Sequence, residues 1–158
     1  MKTVALWQIS TEAPNCRADD VTGKGAEETG GRWNHPAPPK FYASSSIALA
    51  CLETVVHLRA NGLPLNRYLV KISVQEELLE TCEVFDPDKT IGWVAEPAGK
   101  TSLDYGTQWC ASKRSVLLRV PSVIVPEEPN FLINTRHSDV RKIRAEKIRR
   151  FHYDLRLR

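Results

Sequence analysis

Two periods run through the apolar positions of this 158-residue chain. Thr3 to Ser10 is rich in β-forming residues and predicts a first strand, and Phe41-Tyr42-Ala43 predicts a short second one. Tyr68, Val70, Ile72 and Val74 alternate with Leu69, Lys71 and Ser73, the period of two that marks a half-buried strand. Ser115 to Val120 reads as another strand, stopped by Pro121. Helical spacing shows in Ala48, Cys51, Leu52, Val55 and Val56, with Ser44-Ser45-Ser46 ahead to supply an N-cap hydroxyl and Asn61-Gly62 then Pro64 to end the helix. Residues 102–112 predict a short helix around Trp109.

Towards the end, Val140, Ile143, Ile148 and Phe151 predict an amphipathic helix. Phe151, Tyr153, Leu155 and Leu157 then alternate with His152, Asp154, Arg156 and Arg158, which predicts a last strand. The polar run from Thr11 to Pro39, loaded with Gly and Pro, reads as a long loop, and long structured loops usually carry function. Strands and helices mix without a βαβ rhythm or an internal repeat. The expected class is therefore α+β: a single domain over 1–158, with a mainly antiparallel sheet and flanking helices.

Composition adds exclusions. No stretch approaches the roughly eighteen apolar residues of a membrane span, so a soluble, cytoplasmic protein is expected. Cys16, Cys51, Cys82 and Cys110 lie far apart, which is neither a zinc spacing nor a disulfide framework, and they read as reduced, mostly buried thiols. The net charge of +3 hides an asymmetry: residues 136–158 hold nine Lys or Arg against three Asp or Glu. Such a basic terminus is most often a solvated face; a footprint for nucleic acid or for an acidic partner is the alternative.

For chemistry, Gly23-x-Gly25 starts like a dinucleotide-binding glycine fingerprint, but Glu28 takes the third glycine position and no strand leads in, so a Rossmann site is rejected. A phosphate-cradling loop ending in Lys-Ser/Thr is also absent. In Gly30-Gly31-Arg32-Trp33-Asn34 the glycines let the backbone bend or approach a ligand, and the Arg32 fork suits a diphosphate. Alone, an Arg beside a Trp in a loop is more often a surface pair. Tyr42 reads as a core residue or an aromatic contact, and Glu53, one residue off the apolar stripe, as a solvated carboxylate or a catalytic one. His57 lies four residues after Glu53 and would permit a metal pair, yet no third ligand has a sensible spacing, so no metal is expected. Lys24 and His35 read as bystanders beside the pocket.

The order of these residues narrows the choice. Arg32 in Gly-Gly-Arg-Trp-Asn, Tyr42 in Phe-Tyr-Ala-Ser and Glu53 in Ala-Leu-Ala-Cys-Leu-Glu-Thr-Val-Val-His-Leu resemble the first half of a RES domain. Ser115-Val-Leu-Leu-Arg-Val-Pro-Ser122, Asn130-Phe-Leu-Ile-Asn134 and His137 resemble the second half, so the likeness runs from about Trp7 to Ile143. One departure is Asn134-Thr135-Arg136-His137, where the family commonly has Asn-Pro-x-His.

The resemblance implies a toxin of a type II toxin–antitoxin pair, similar in fold to ADP-ribosyltransferases, that cleaves NAD as its substrate and needs no cofactor. It also implies a partner, an Xre-type antitoxin that covers the pocket. It matches the family's eponymous Arg, Glu and Ser to Arg32, Glu53 and Ser122. In these roles Glu53 would stabilise an oxocarbenium-like ribose, Arg32 would hold diphosphate or ribose, Tyr42 would pack on nicotinamide, and Ser122 and Asn134 would hydrogen-bond ribose or phosphate. The leading expectation is an NAD glycohydrolase or phosphorylase. The alternatives are a protein mono-ADP-ribosyltransferase and a nucleic-acid-binding or ribonuclease-type toxin.

Overall fold

The computed structural model describes residues 1–14, 17–20, 32–33, 40–58 and 62–157. Its strands are β1 (Thr3–Thr11), β2 (Lys40–Ser44), β3 (Arg67–Gln75), β4 (Glu83–Val84), β5 (Leu117–Pro121), β6 (Pro129–Asn134) and β7 (Arg144–Arg150). Among the described residues the helices are α1 (Ile47–Val55), α2 (Glu76–Glu80) and α3 (Lys100–Ser112), with single 3₁₀ turns at Pro87–Lys89 and Ser138–Lys142. All seven strands join one sheet in the order β4-β5-β6-β2-β1-β3-β7. Only β4 and β5 run parallel; the other pairings are antiparallel.

The sheet is tightly zipped on either side of a weak join. β1 and β3 pair along their whole length, from Thr3↔Gln75 to Thr11↔Arg67, and β2 pairs β6 from Lys40↔Asn134 to Ser44↔Asn130. Between the halves, β1 and β2 share a single register pair among the described residues, Trp7↔Ser44. Side chains of opposed residues point to one face, so the pleat sorts the core cleanly. One face is continuous across the join, with Leu6, Val70 and Ile72 from one half packed with Phe41, Ala43, Leu117 and Ile133 from the other. The opposite face is split. There α1 covers Ile9 and Leu69 together with Tyr153, while α3 covers Leu118, Val120 and Leu132 with Trp109 and Cys110. A seam between two apolar clusters on one sheet face is a natural place for polar side chains.

Several expectations hold with shifted ends. The strands expected at 3–10, 41–43, 68–74 and 115–120 and the helix around Trp109 are present. Ser46 is the N-cap hydroxyl of α1, accepting from the Leu49 amide at 3.1 Å. That helix ends at Val55, well before Gly62, as 3₁₀-type bonds from His57 and Leu58 tighten its last turn.

Its buried face also differs from the expected one. Leu49 and Ala50 are buried, whereas Leu52 is 37% and Val56 55% exposed. The residues from Ile47 to Leu52 are apolar on every side, so the period there does not select a face; the sheet does. Glu53 follows Ala50 by three and Leu49 by four, which places it on the buried stripe rather than beside it.

The C-terminal expectations are corrected. In place of a helix over Val140–Phe151 the chain forms a 3₁₀ turn and then β7, and residues 151–157 are not a strand. β7 is an edge strand with Ala145 and Lys147 on its half-buried positions, so it shows no apolar alternation. After it, Phe151 and Tyr153 pack under α1, and the Tyr153 hydroxyl bonds Thr54 Oγ1 at 2.8 Å. Three of the four basic residues of β7 find local partners: Lys147 pairs with Glu12 at 3.1 Å and lies over the Tyr68 ring, as does Arg150, and Arg149 lies over Phe151. This is the arrangement of a charged edge that resists pairing with other strands. Of the described thiols only Cys110 is buried; Cys51 and Cys82 are half-buried, and burial pushes both upward in pKa.

Gly106 of α3 faces the backbone of Trp33, and a Cβ built there would stand 1.7 Å from the Trp33 carbonyl oxygen. Backbone meets backbone, so neither side has a flexible end to yield. Gly106→Ala is expected to cost about 1–3 kcal/mol through overpacking, read as a lower thermal unfolding midpoint, even though alanine is the better helix former.

Candidate functional site

Glu53 enters the seam from α1 and meets two donors from the far half of the sheet. Ser122 Oγ, just past the end of β5, donates to Glu53 Oε1 at 2.7 Å, and Asn130 Nδ2, on β6, donates to the same oxygen at 2.7 Å. Ser122 is fully buried and its Oγ in turn accepts from the amides of Ile124 and Val125, both at 3.1 Å. Ser44, buried at the join of the sheet halves, donates to Asn130 Oδ1 at 2.7 Å. Among the described residues, Glu53 Oε2 receives no hydrogen bond. A carboxylate moved out of water needs such donors, and here two backbone segments deliver them while a third, β2, orients one of the two.

Tyr42 lies two residues before Ser44 on β2, roughly 7 Å along the strand and on the same face. It packs against the α3 cluster that contains Trp33, Phe85, Trp109 and Leu132. Burial pushes its phenol far above the ordinary tyrosine range, while a hydrogen bond from the Trp33 backbone acts the other way. Tyr42 therefore stays neutral at any physiological pH and presents an uncharged ring.

The loop residue Trp33 is 3% exposed and sits edge-on to Phe85 at 4.7 Å and stacked with Trp93 at 6.4 Å, with Tyr105 against the other side of Phe85. This aromatic box fixes the Arg32-Trp33 segment. The Arg32 guanidinium then clasps the segment Trp93 to Glu96: Nη1 donates to the carbonyls of Trp93 at 3.1 Å and Ala95 at 2.8 Å, and Nη2 pairs with the Glu96 carboxylate. Ser102 of α3 bonds the same Trp93 carbonyl at 3.2 Å. An arginine has five N–H donors, so the Arg32 Nε and one Nη2 hydrogen have no acceptor among the described residues.

The structure thus joins Glu53 and Ser122 directly and sets Tyr42 between them and the Arg32 loop. Asn134 is not brought to this cluster. It is fully buried at the other end of β6, where Nδ2 donates to the Cys110 carbonyl at 2.8 Å and Oδ1 accepts from the Arg136 amide at 3.0 Å. That braces α3 against the turn after β6. His137, in the departing segment, caps the following 3₁₀ turn by accepting from the Asp139 amide. His57 is exposed, and no group of three or more His, Cys, Asp or Glu among the described residues is placed to hold a metal ion. Gly30, Gly31, Asn34, Lys24 and His35 lie outside the described residues.

Two members were missed in the sequence. Ser44 stood only as one of three candidate caps, and Asn130 only as the first letter of a motif. Their signal was parity: in the strands 40–44 and 129–134 both are polar residues at the strand end nearest α1. The Arg32 clasp makes a direct prediction. Arg32→Lys keeps the charge but loses the fork that spans two carbonyls and a carboxylate, so amide hydrogen exchange across residues 93–99 should quicken about tenfold or more while exchange in β1 and β3 stays unchanged.

Comparison with known proteins places this geometry. The RES domain family matches residues 5–155. A Prs ADP-ribosylating toxin of Sphingobium sp. (strain YBL2) is 54% identical over 98% of this chain and 97% of its own length. A Toxin Res of Yersinia enterocolitica is 39% identical over 76% of this chain and 78% of its own. Among solved structures, a chain of the Mycobacterium tuberculosis MbcT–MbcA toxin–antitoxin complex superposes with a TM-score of 0.61 at 14% identity, over 94% of this chain and 85% of that one, a likeness of fold. The chain, with its Glu53 carboxylate held in the seam of a split sheet, belongs to the RES domain family of toxins.

Proposed function

We propose that residues 1–158 form one RES domain that acts in the cytoplasm as a toxin, cleaving NAD at the bond between nicotinamide and ribose. The carrying observation is Glu53, a carboxylate on the inner face of α1 with Oε1 doubly bonded and Oε2 unengaged among the described residues. As the nicotinamide leaves, positive charge develops on the ribose, and a fixed carboxylate oxygen beside it lowers the barrier. Ser122 contributes by holding that carboxylate. Tyr42 offers a neutral aromatic surface for the nicotinamide ring. Arg32, mounted on the packed Trp33, has two donors with no acceptor among the described residues, which suit a phosphate of the substrate. Asn134, spent on bracing α3, supports the site from a distance.

A second reading concerns the acceptor of ADP-ribose. The relative that is 54% identical across nearly the whole chain is named for ADP-ribosylating Prs, which favours a protein side chain over water or phosphate. Both readings share the first bond-breaking step. A cognate antitoxin, of Xre type, would cover the site until it is removed.

Purified protein incubated with NAD, alone, with inorganic phosphate, and with purified Prs, should release nicotinamide in at least one arm. Mass spectrometry of the products identifies the acceptor: free ADP-ribose, its phosphorylated form, or a modified protein. Glu53→Gln should lower the rate by about 10²–10³-fold. No nicotinamide in any arm would overturn the assignment, and salt-sensitive binding of RNA in its place would point to a nucleic-acid target.

A further inference from the structure

Asn130 holds Glu53 in an orientation that a third residue enforces. The Glu53 oxygen that faces it can only accept, so the Asn130 amide must present Nδ2, as it does at 2.7 Å. The amide oxygen then points back at β2. There its register partner Ser44 donates to it at 2.7 Å, from a hydroxyl only 5% exposed. Without Ser44 the amide is free to turn over, which would set oxygen against oxygen and repel the carboxylate. The bond also crosses the seam: Glu53 belongs to the helix that covers β1 and β3, whereas Asn130 belongs to the other half of the sheet.

We propose that Asn130, locked by Ser44, is a positioning residue that fixes the Glu53 carboxylate through Oε1 and so keeps Oε2 turned to the ribose of the substrate. This rests on the reading of the site as an NAD-cleaving one. Both donors, Asn130 and Ser122, end on the same oxygen, so the carboxylate is restrained in rotation while its second oxygen meets no donor among the described residues. Ser122 is itself anchored by the Ile124 and Val125 amides, and Asn130 by Ser44. Each donor therefore arrives already oriented, and none has to reorganise as charge develops. A misplacement of about 1 Å at such a group can cost a hundredfold in rate.

The test compares Asn130→Ala, Asn130→Asp and Ser44→Ala with the wild type, reading nicotinamide release and thermal midpoints. Asn130→Ala should lower kcat by about 10–100-fold with KM for NAD held within about twofold, because the lost contact acts on the transition state. Asn130→Asp keeps size and shape but loses the donor, and should fall at least as far. Ser44→Ala should fall less, by about 3–10-fold, as only the lock is gone. Wild-type kcat in Asn130→Asp, or a loss confined to KM, would overturn the proposal.

A readout independent of catalysis separates this from the parent assignment. If Asn130 and Glu53 are bonded, the midpoint loss in the double variant Asn130→Ala/Glu53→Ala falls short of the sum of the single losses by about 2–4 °C. Additive losses would remove the contact whatever the NAD assay shows. Coupled losses in a wild-type protein that releases no nicotinamide would instead overturn the NAD reading, and the catalytic role with it, leaving the contact in place.

Discussion

A carboxylate that leaves water must be met by donors, and in this molecule that requirement ties the two halves of the sheet together. Among the described residues β1 and β2 share one register pair, so little ladder bonding between them spans the join. What spans it on the open face is the Glu53 cluster, with α1 on one side and Ser122, Asn130 and Ser44 on the other. The same contacts that satisfy a half-buried charge also bridge the seam between the two apolar clusters. Removing one partner would leave the other polar groups stranded, which is why structural and chemical roles are hard to separate at this site.

A second anchoring system stands in the aromatic cluster under α3. Trp33 fills an aromatic box made by Phe85, Trp93 and Tyr105, and Gly106 lets its backbone lie directly on α3. Arg32 is thereby carried on a well-packed residue, and its guanidinium closes on the carbonyls of the segment Trp93 to Glu96. Charge delivered by a packed mount suits the recognition of a phosphate better than the same charge on a free loop, because less order has to be gained on binding. Between these anchors Tyr42 supplies a neutral ring.

Among the described residues, no Lys or Arg of the basic C-terminal segment bonds to Glu53, Ser122, Asn130 or Arg32. Lys147, Arg149 and Arg150 lie on an edge strand over Tyr68 and Phe151 and beside Glu12, so much of the charge excess guards the sheet edge. Arg136, Arg141 and Arg144 are exposed and open to long-range attraction of an acidic surface, whereas Arg156 pairs with Asp154.

What the chain determined by itself was everything that depends on near neighbours. The strand Tyr68 to Val74, the Ser46 cap, the helix around Trp109 and the spacing of Arg32, Tyr42 and Glu53 were legible because period, capping and motif order are local properties. β7 was not legible, since an edge strand keeps few apolar residues, and the inner face of α1 was not, since its first residues are apolar all round. Tertiary structure alone decided which donors meet Glu53 and where Arg32 closes. Those bonds join residues 61 to 86 positions apart, and no pattern within a strand or a turn can specify a meeting between segments so distant in the chain.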